Sequence, residues 1–236
     1  PASLARASTE KTKLLILNNG SNPTGAIYTK EELQAILEVA RAKNIFVLSD
    51  EVYSGLIFDG NEYVSCGSFA EYSDMVIVVQ SCSKNFGMTG WRVGFVFGPA
   101  HVIKTLINFQ GQTITGTSVI SQWAAVSALS DAKKITAEVC AEIQYRRDVF
   151  VSTFNRLFSA HISAPKSALY CLIPLAAFGT TETDDVAFCE RVMEDANIAM
   201  VPGKAFGQSG YVRCAFGAPA KELEEGLIAL ASYLKS

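Results

Sequence analysis

Histidine is nearly absent from this chain. Only His101 and His161 occur in 236 residues, and neither stands near a cysteine or carboxylate cluster, so a metal centre finds little support. No cysteine pair has C-x-x-C spacing. Cys66, Cys82, Cys140, Cys171, Cys189 and Cys214 are scattered, which in a chain this long reads as free thiols in a reducing cytoplasm. Basic excess is lacking too: 20 Lys and Arg against 23 Asp and Glu leave a net charge of −3, which makes nucleic acid and anionic membrane poor partners. No apolar run approaches the roughly 18 residues that span a bilayer. The opening PASLARASTEKTK has no hydrophobic region of the kind a signal peptide carries. Internal repeats and low-complexity segments are also missing. What remains is the composition of a soluble globular protein, 49% apolar and 18% charged, with length for one large or two smaller domains.

Along the chain, Leu14-Leu15-Ile16-Leu17 is a short apolar strand running into NNGSNPTG (18–25), which is almost entirely turn formers. Thr29 and Glu32 form a capping box. Leu33, Ile36, Leu37 and Ala40 follow at helical spacing, so a helix is expected to stop near Asn44. Ile45 to Leu48 is the next strand and ends at Ser49-Asp50-Glu51-Val52-Tyr53; Met75 to Val79 is a third. Strand, helix, strand and strand in this order imply a mostly parallel, buried α/β sheet with flanking helices. Ligands of such sheets bind beyond the carboxyl ends of the strands. Those ends carry Asn22, Asp50 with Tyr53, and Ser81 with Lys84. Val93 to Phe97 reads as a further strand. Helices follow near 118–129 and 135–158, the latter long enough to link two domains. A second, smaller α/β unit then combines strands at 169–174, 198–201 and 211–216 with helices near 184–195 and at the end. The expected division is 1–150 and 151–236.

The stretch 80–94, QSCSKNFGMTGWRVG, organises the rest. A lysine and an arginine meet at the mouth of a buried strand, in a segment whose glycines permit tight backbone approach, which is what a lysine nucleophile beside a phosphate site needs. Taken singly, each residue has a plainer reading. An average lysine is solvated surface, Asp50 could cap a turn, Asn22 could be an Asn-Pro turn, and Arg213 could pair with a structural carboxylate. Cys82 reads as a small buried hydrophobe, and Trp91 and Trp123 as packing residues.

Together, S-x-S-K-x-x-x-x-x-G-W-R-x-G at 81–94, with N-P-T-G at 22–25 and S-D-E-V-Y at 49–53, resembles the pyridoxal-phosphate-dependent aminotransferases of fold type I, class I/II. The likeness extends to Gly210-Tyr211-Val212-Arg213. It implies transfer of an amino group from an amino acid to a 2-oxo acid. Lys84 would form the Schiff base with pyridoxal 5'-phosphate and shuttle a proton. Asp50 would face the ring nitrogen, Tyr53 and Asn22 the ring oxygen, Ser81 and Arg92 the phosphate, and Arg213 the substrate carboxylate. It further implies a cytoplasmic homodimer, an incomplete large cofactor-binding domain followed by a small C-terminal domain, and no metal. Residues 110–118 resemble aspartate- and aromatic-type members more than others. Members carry well over a hundred further residues before the first strand, so a fragment lacking the N-terminal part is expected. The same motifs serve β-lyases and cyclopropane-forming synthases, which an amino-donor assay with and without an oxo-acid acceptor separates. An inactive fragment or regulatory module is the remaining alternative.

Overall fold

Thr29 and Glu32 form the expected capping box. Thr29 Oγ1 accepts from Glu32 N (3.2 Å), and Thr29 N donates to the Glu32 carboxylate (2.8 Å). They open helix α2 (Lys30–Ala42), whose buried face is Leu33, Ile36, Leu37 and Ala40. That stripe packs with Leu17, Ile45 and Val47 in one core cluster. Each fully buried leucine contributes about 1.5–3 kcal/mol. The computed structural model describes residues 1–235.

The sheet against which α2 packs has the order β1 (Leu14–Asn18), β2 (Phe46–Asp50), β3 (Val76–Ser81), β4 (Gly94–Phe97). The first three strands are parallel, with Leu14 opposite Phe46 and Val47 opposite Val76; β4 returns antiparallel, with Ser81 opposite Gly94. Parallel pairing delivers the carboxyl ends of β1, β2 and β3 to one end of the sheet, and so sets Asn18, Asp50 and Ser81 there. Gly94 is required by this register, because a Cβ on it would lie 2.7 Å from the Gln80 carbonyl oxygen.

Helices α1 (Ala2–Ala7), α3 (Cys82–Asn85), α4 (Ala100–Thr113) and α5 (Val119–Ser130) complete the first unit, with the start of α6 (Ala132–Leu157). α4 has no counterpart in the sequence reading. Val102, Ile103, Leu106 and Ile107 do recur at helical spacing, but none of its residues is buried, and Leu106, Ile107 and Phe109 are all exposed. Trp91 and Trp123 are not packing residues: they are 45% and 70% exposed. α5 buries Ser121, Ala125 and Ala128, a face of small residues at helical spacing, which turns Trp123 outward. Trp91 ends a short 3-10 turn, Thr89–Trp91, that buries nothing.

The second unit comprises Ser21–Gly25 and Ala141–Ser236, the first being Pro1–Gly20 with Ala26–Cys140. Its sheet has the order β5 (Tyr170–Pro174), β7 (Tyr211–Ala215), β6 (Val201–Pro202), antiparallel throughout. The strand expected at 198–201 is reduced to the two residues of β6. Helices α7 (Asp185–Ala196) and α8 (Ala220–Tyr233) flank this sheet. Phe150, Phe154, Phe158, Phe178 and Phe188 form a chain of ring contacts, from 4.5 Å between Phe154 and Phe158 to 6.4 Å between Phe150 and Phe154. The α/β class with a mostly parallel first sheet is as expected. Among the described residues, no helix is long and apolar enough to cross a membrane.

Candidate functional site

Asp50 ends β2 half-buried. Its carboxylate accepts one long hydrogen bond, from Val52 N at 3.4 Å, and its carbonyl accepts from Asn18 Nδ2 at 3.0 Å. No cation pairs with it among the described residues. Burial pushes its pKa above the ordinary carboxylate value, and the Val52 hydrogen bond opposes this only in part. Tyr53, in the turn after Asp50, is buried and accepts from Leu56 N through its carbonyl.

One strand over, Ser81 ends β3 and caps α3, its Oγ accepting from Ser83 N at 3.1 Å. Lys84 is therefore on a one-turn helix, not in an open loop. It is half-buried, and its ammonium group has no side-chain partner among the described residues. Cys82 beside it is fully buried and its thiol pKa is raised by burial, as suits a packing residue. Arg92 adopts the left-handed conformation at φ 55°, uncommon for a side chain of its size, and donates from Nη1 to the Thr89 carbonyl at 3.1 Å. Ser81, Ser83 and Arg92 line one cavity of about 310 Å³ with Gln80 and Gly94.

Asn22 and Arg213 both belong to the second unit, although Asn22 follows β1 in sequence. The Asn22-Pro23 peptide is cis, and Ser167 Oγ donates to the Gly25 carbonyl at 3.0 Å. Arg213, on β7, donates from Nη1 to Asn22 Oδ1 at 3.0 Å. Its guanidinium lies over the rings of Tyr170 (4.3 Å to the centroid) and Phe206 (4.9 Å). Its Nε is buried with no hydrogen-bond partner. The structure thus groups Asp50, Tyr53, Ser81, Lys84 and Arg92 in one unit and Asn22 with Arg213 in the other.

The family described as aminotransferase class I and II matches residues 2–230. The chain belongs to this family. It is 32% identical over 222 residues to the probable aspartate/prephenate aminotransferase of Aquifex aeolicus, covering 93% of this chain and 56% of that protein. The aromatic aminotransferase of Pyrococcus horikoshii superposes with a TM-score of 0.90 at 33% identity, over 99% of this chain and 63% of that one. The Thermus thermophilus aspartate aminotransferase with maleate also gives 0.90, at 32% identity, over 98% and 59%. The chain therefore spans little more than half the length of the Aquifex protein and about three fifths of each solved structure.

Class I and II aminotransferases imply pyridoxal phosphate, and the residues present fit it. Ser81 and Arg92 offer a hydroxyl and a planar cation to one cavity. The Lys84 ammonium and the Asp50 carboxylate each lack the partner of opposite charge that a purely structural role would supply. Sequence reasoning missed Tyr170 and Phe206, since aromatic residues on a strand and a short turn carry no motif; only the fold brings them to Arg213. It also passed over Glu51, whose place next to Asp50 was visible but whose burial was not.

Asp50→Asn tests the fit through pH. A carboxyl raised above its unfolded value leaves stability intact below the ordinary carboxylate range, and stability is lost as pH rises through the raised folded value. In cofactor-free protein, Asp50→Asn is expected to lose less stability between acid and neutral pH than wild type. Its cofactor affinity is expected to fall by about 10²-fold or more, the cost of removing one partner of a desolvated charge pair. Denaturation at several pH values and cofactor titration check both. Unchanged affinity would remove Asp50 from the ring nitrogen.

Proposed function

We propose that the protein moves an amino group from an amino acid to a 2-oxo acid, using pyridoxal phosphate. When bound, this cofactor supplies an electron sink that makes the α-proton of the amino acid removable. Lys84 would hold it covalently and, once released by substrate, would carry the proton between the substrate's α-carbon and the cofactor. Asp50 keeps the ring nitrogen protonated. Ser81 and Arg92 hold the phosphate, Arg92 with its planar fork. Tyr53 and Asn22 would hydrogen-bond the ring oxygen. Arg213 takes the substrate carboxylate.

The observation that carries this reading is the unpartnered Lys84 ammonium on the helix capped by Ser81, which with Arg92 lines a cavity. Borohydride reduction of cofactor-loaded full-length protein, followed by peptide mapping, is expected to find the cofactor fixed on Lys84. A label on any other lysine sinks the assignment. The relatives named for aspartate, prephenate and aromatic substrates support an acidic or aromatic amino donor. We extend the reading to a homodimer in a reducing cytoplasm. All six cysteines are free, which supports the compartment, and the exposed Ile120 and Trp123 of α5 offer apolar surface to a second copy.

A further inference from the structure

Glu51 is fully buried between Asp50 and the turn that carries Tyr53, and the proposed chemistry gives it no part. It has no cation. Its Oε1 accepts from Ser49 Oγ, Ser65 Oγ and Cys66 N, each at 2.9 Å. Its Oε2 accepts from Gln80 Nε2 at 3.3 Å. From Gln80 the bonds continue: Gln80 Oε1 accepts from Ser54 Oγ (3.3 Å), Ser54 Oγ accepts from Asn85 Nδ2 (3.2 Å), and Asn85 Oδ1 accepts from Gly55 N (3.0 Å). The chain of bonds starts at the neighbour of Asp50 and ends at the neighbour of Lys84.

The direction of these bonds is set at both ends, by Glu51 and by the Gly55 N–H. Gln80 presents its NH₂ to the Glu51 carboxylate and its carbonyl oxygen to Ser54. The Ser54 hydroxyl then donates to Gln80 and is left to accept from Asn85. At the other end the Gly55 N–H can only donate, so Asn85 turns its oxygen to Gly55 and its NH₂ to Ser54. Reversing Gln80 would set its carbonyl oxygen against the Glu51 carboxylate, and reversing Asn85 would set its NH₂ against the Gly55 N–H. The packing is tight at the far end as well, since a Cβ on Gly55 would lie 3.0 Å from Asn85 Oδ1 and 2.5 Å from Thr136 Cγ2. A buried network in which each member has its partner is rigid, and one half-satisfied is costly.

We infer that Glu51 is a positioning residue: through Gln80, Ser54 and Asn85 it fixes the end of β2, with Asp50, relative to α3, with Lys84. This rests on the assignment of Asp50 and Lys84 to the cofactor. Glu51→Gln separates the role from bulk packing, because glutamine keeps an oxygen for Ser49, Ser65 and Cys66 while placing an NH₂ against Gln80.

The first readout is amide hydrogen exchange in cofactor-free full-length protein. Glu51→Gln is expected to accelerate exchange at the Gly55 amide, which Glu51 does not touch, by about 3- to 10-fold, the loss of one ordinary hydrogen bond. Amides of α2 keep their protection. Asn85→Ala, which deletes the acceptor itself, gives the same local change, and Ser54→Ala serves if either variant fails to fold. Unchanged Gly55 exchange in Glu51→Gln, or acceleration spread evenly over the unit, overturns the relay. The second readout is the pH midpoint of the absorbance of the lysine-held cofactor. Each single variant is expected to shift it by about half a unit or more, and the double variant Glu51→Gln/Asn85→Ala no further than the larger single shift, as members of one network behave. Additive shifts overturn the relay. If wild-type protein holds no cofactor on Lys84, the functional reading fails, and the relay is decided by Gly55 exchange alone.

Discussion

Lys84→Ala protein is expected to fold with wild-type stability and to lose amino-group transfer by at least about 10⁴-fold in kcat, the combined loss of a covalent anchor and a proton carrier. The two halves of this expectation come from one fact. The Lys84 side chain has no hydrogen bond or ion pair among the described residues, so its removal costs only the packing of its half-buried stem, and the change in stability should stay within about 1 kcal/mol. The helix that carries it is held by other groups: Ser81 caps its first turn, and Asn85 is tied to Ser54 and Gly55. Lys84→Arg is expected to be no better, because a guanidinium stays protonated and cannot act as the nucleophile. Thermal denaturation and steady-state kinetics on the two variants decide the matter. More than about one part in 10² of residual activity in Lys84→Ala would place the chemistry on another group, and a large loss of stability would show that Lys84 has a structural partner after all.

Much of the first sheet could be read directly from the chain, because its elements carry local signals. Thr29 and Glu32 cap α2 whatever surrounds them, and the β-branched run ending in Val78-Val79 is too short and too apolar for anything but a buried strand. What was missed or misread lies elsewhere. α4 carries Val102, Ile103, Leu106 and Ile107 at helical spacing but buries none of them, and α5, expected as a helix, buries serine and alanine and turns Trp123 outward. Asn22 is the sharper lesson. Its position after the first strand aligns it with Asp50 and Lys84, yet the structure joins it to Arg213, 191 residues away, by a bond that only the fold can create. Glu51 is invisible for the opposite reason: a glutamate in a turn reads as solvated, and its burial depends on serines, a glutamine and an asparagine spread from Ser49 to Asn85.

Arg213 is where a second large effect is expected. Its guanidinium stacks over Tyr170 and Phe206 and spends Nη1 on Asn22, while Nε stays buried without an acceptor. An orphaned buried donor costs about 1–3 kcal/mol, and nothing in the second unit recovers that cost. A substrate carboxylate would recover it, accepting from Nε and a neighbouring nitrogen as a two-pronged pair. Arg213→Ala is therefore expected to weaken binding of both amino acid and oxo acid by about 10²- to 10³-fold, and cofactor affinity far less, since Arg213 would touch the cofactor only through Asn22. Arg213→Lys restores the charge but neither the planar fork nor the stacking between two rings, so it should stay within about tenfold of the alanine variant. Binding titrations with substrate and cofactor separately distinguish this from a structural role, in which both affinities would fall together and lysine would restore most of the loss.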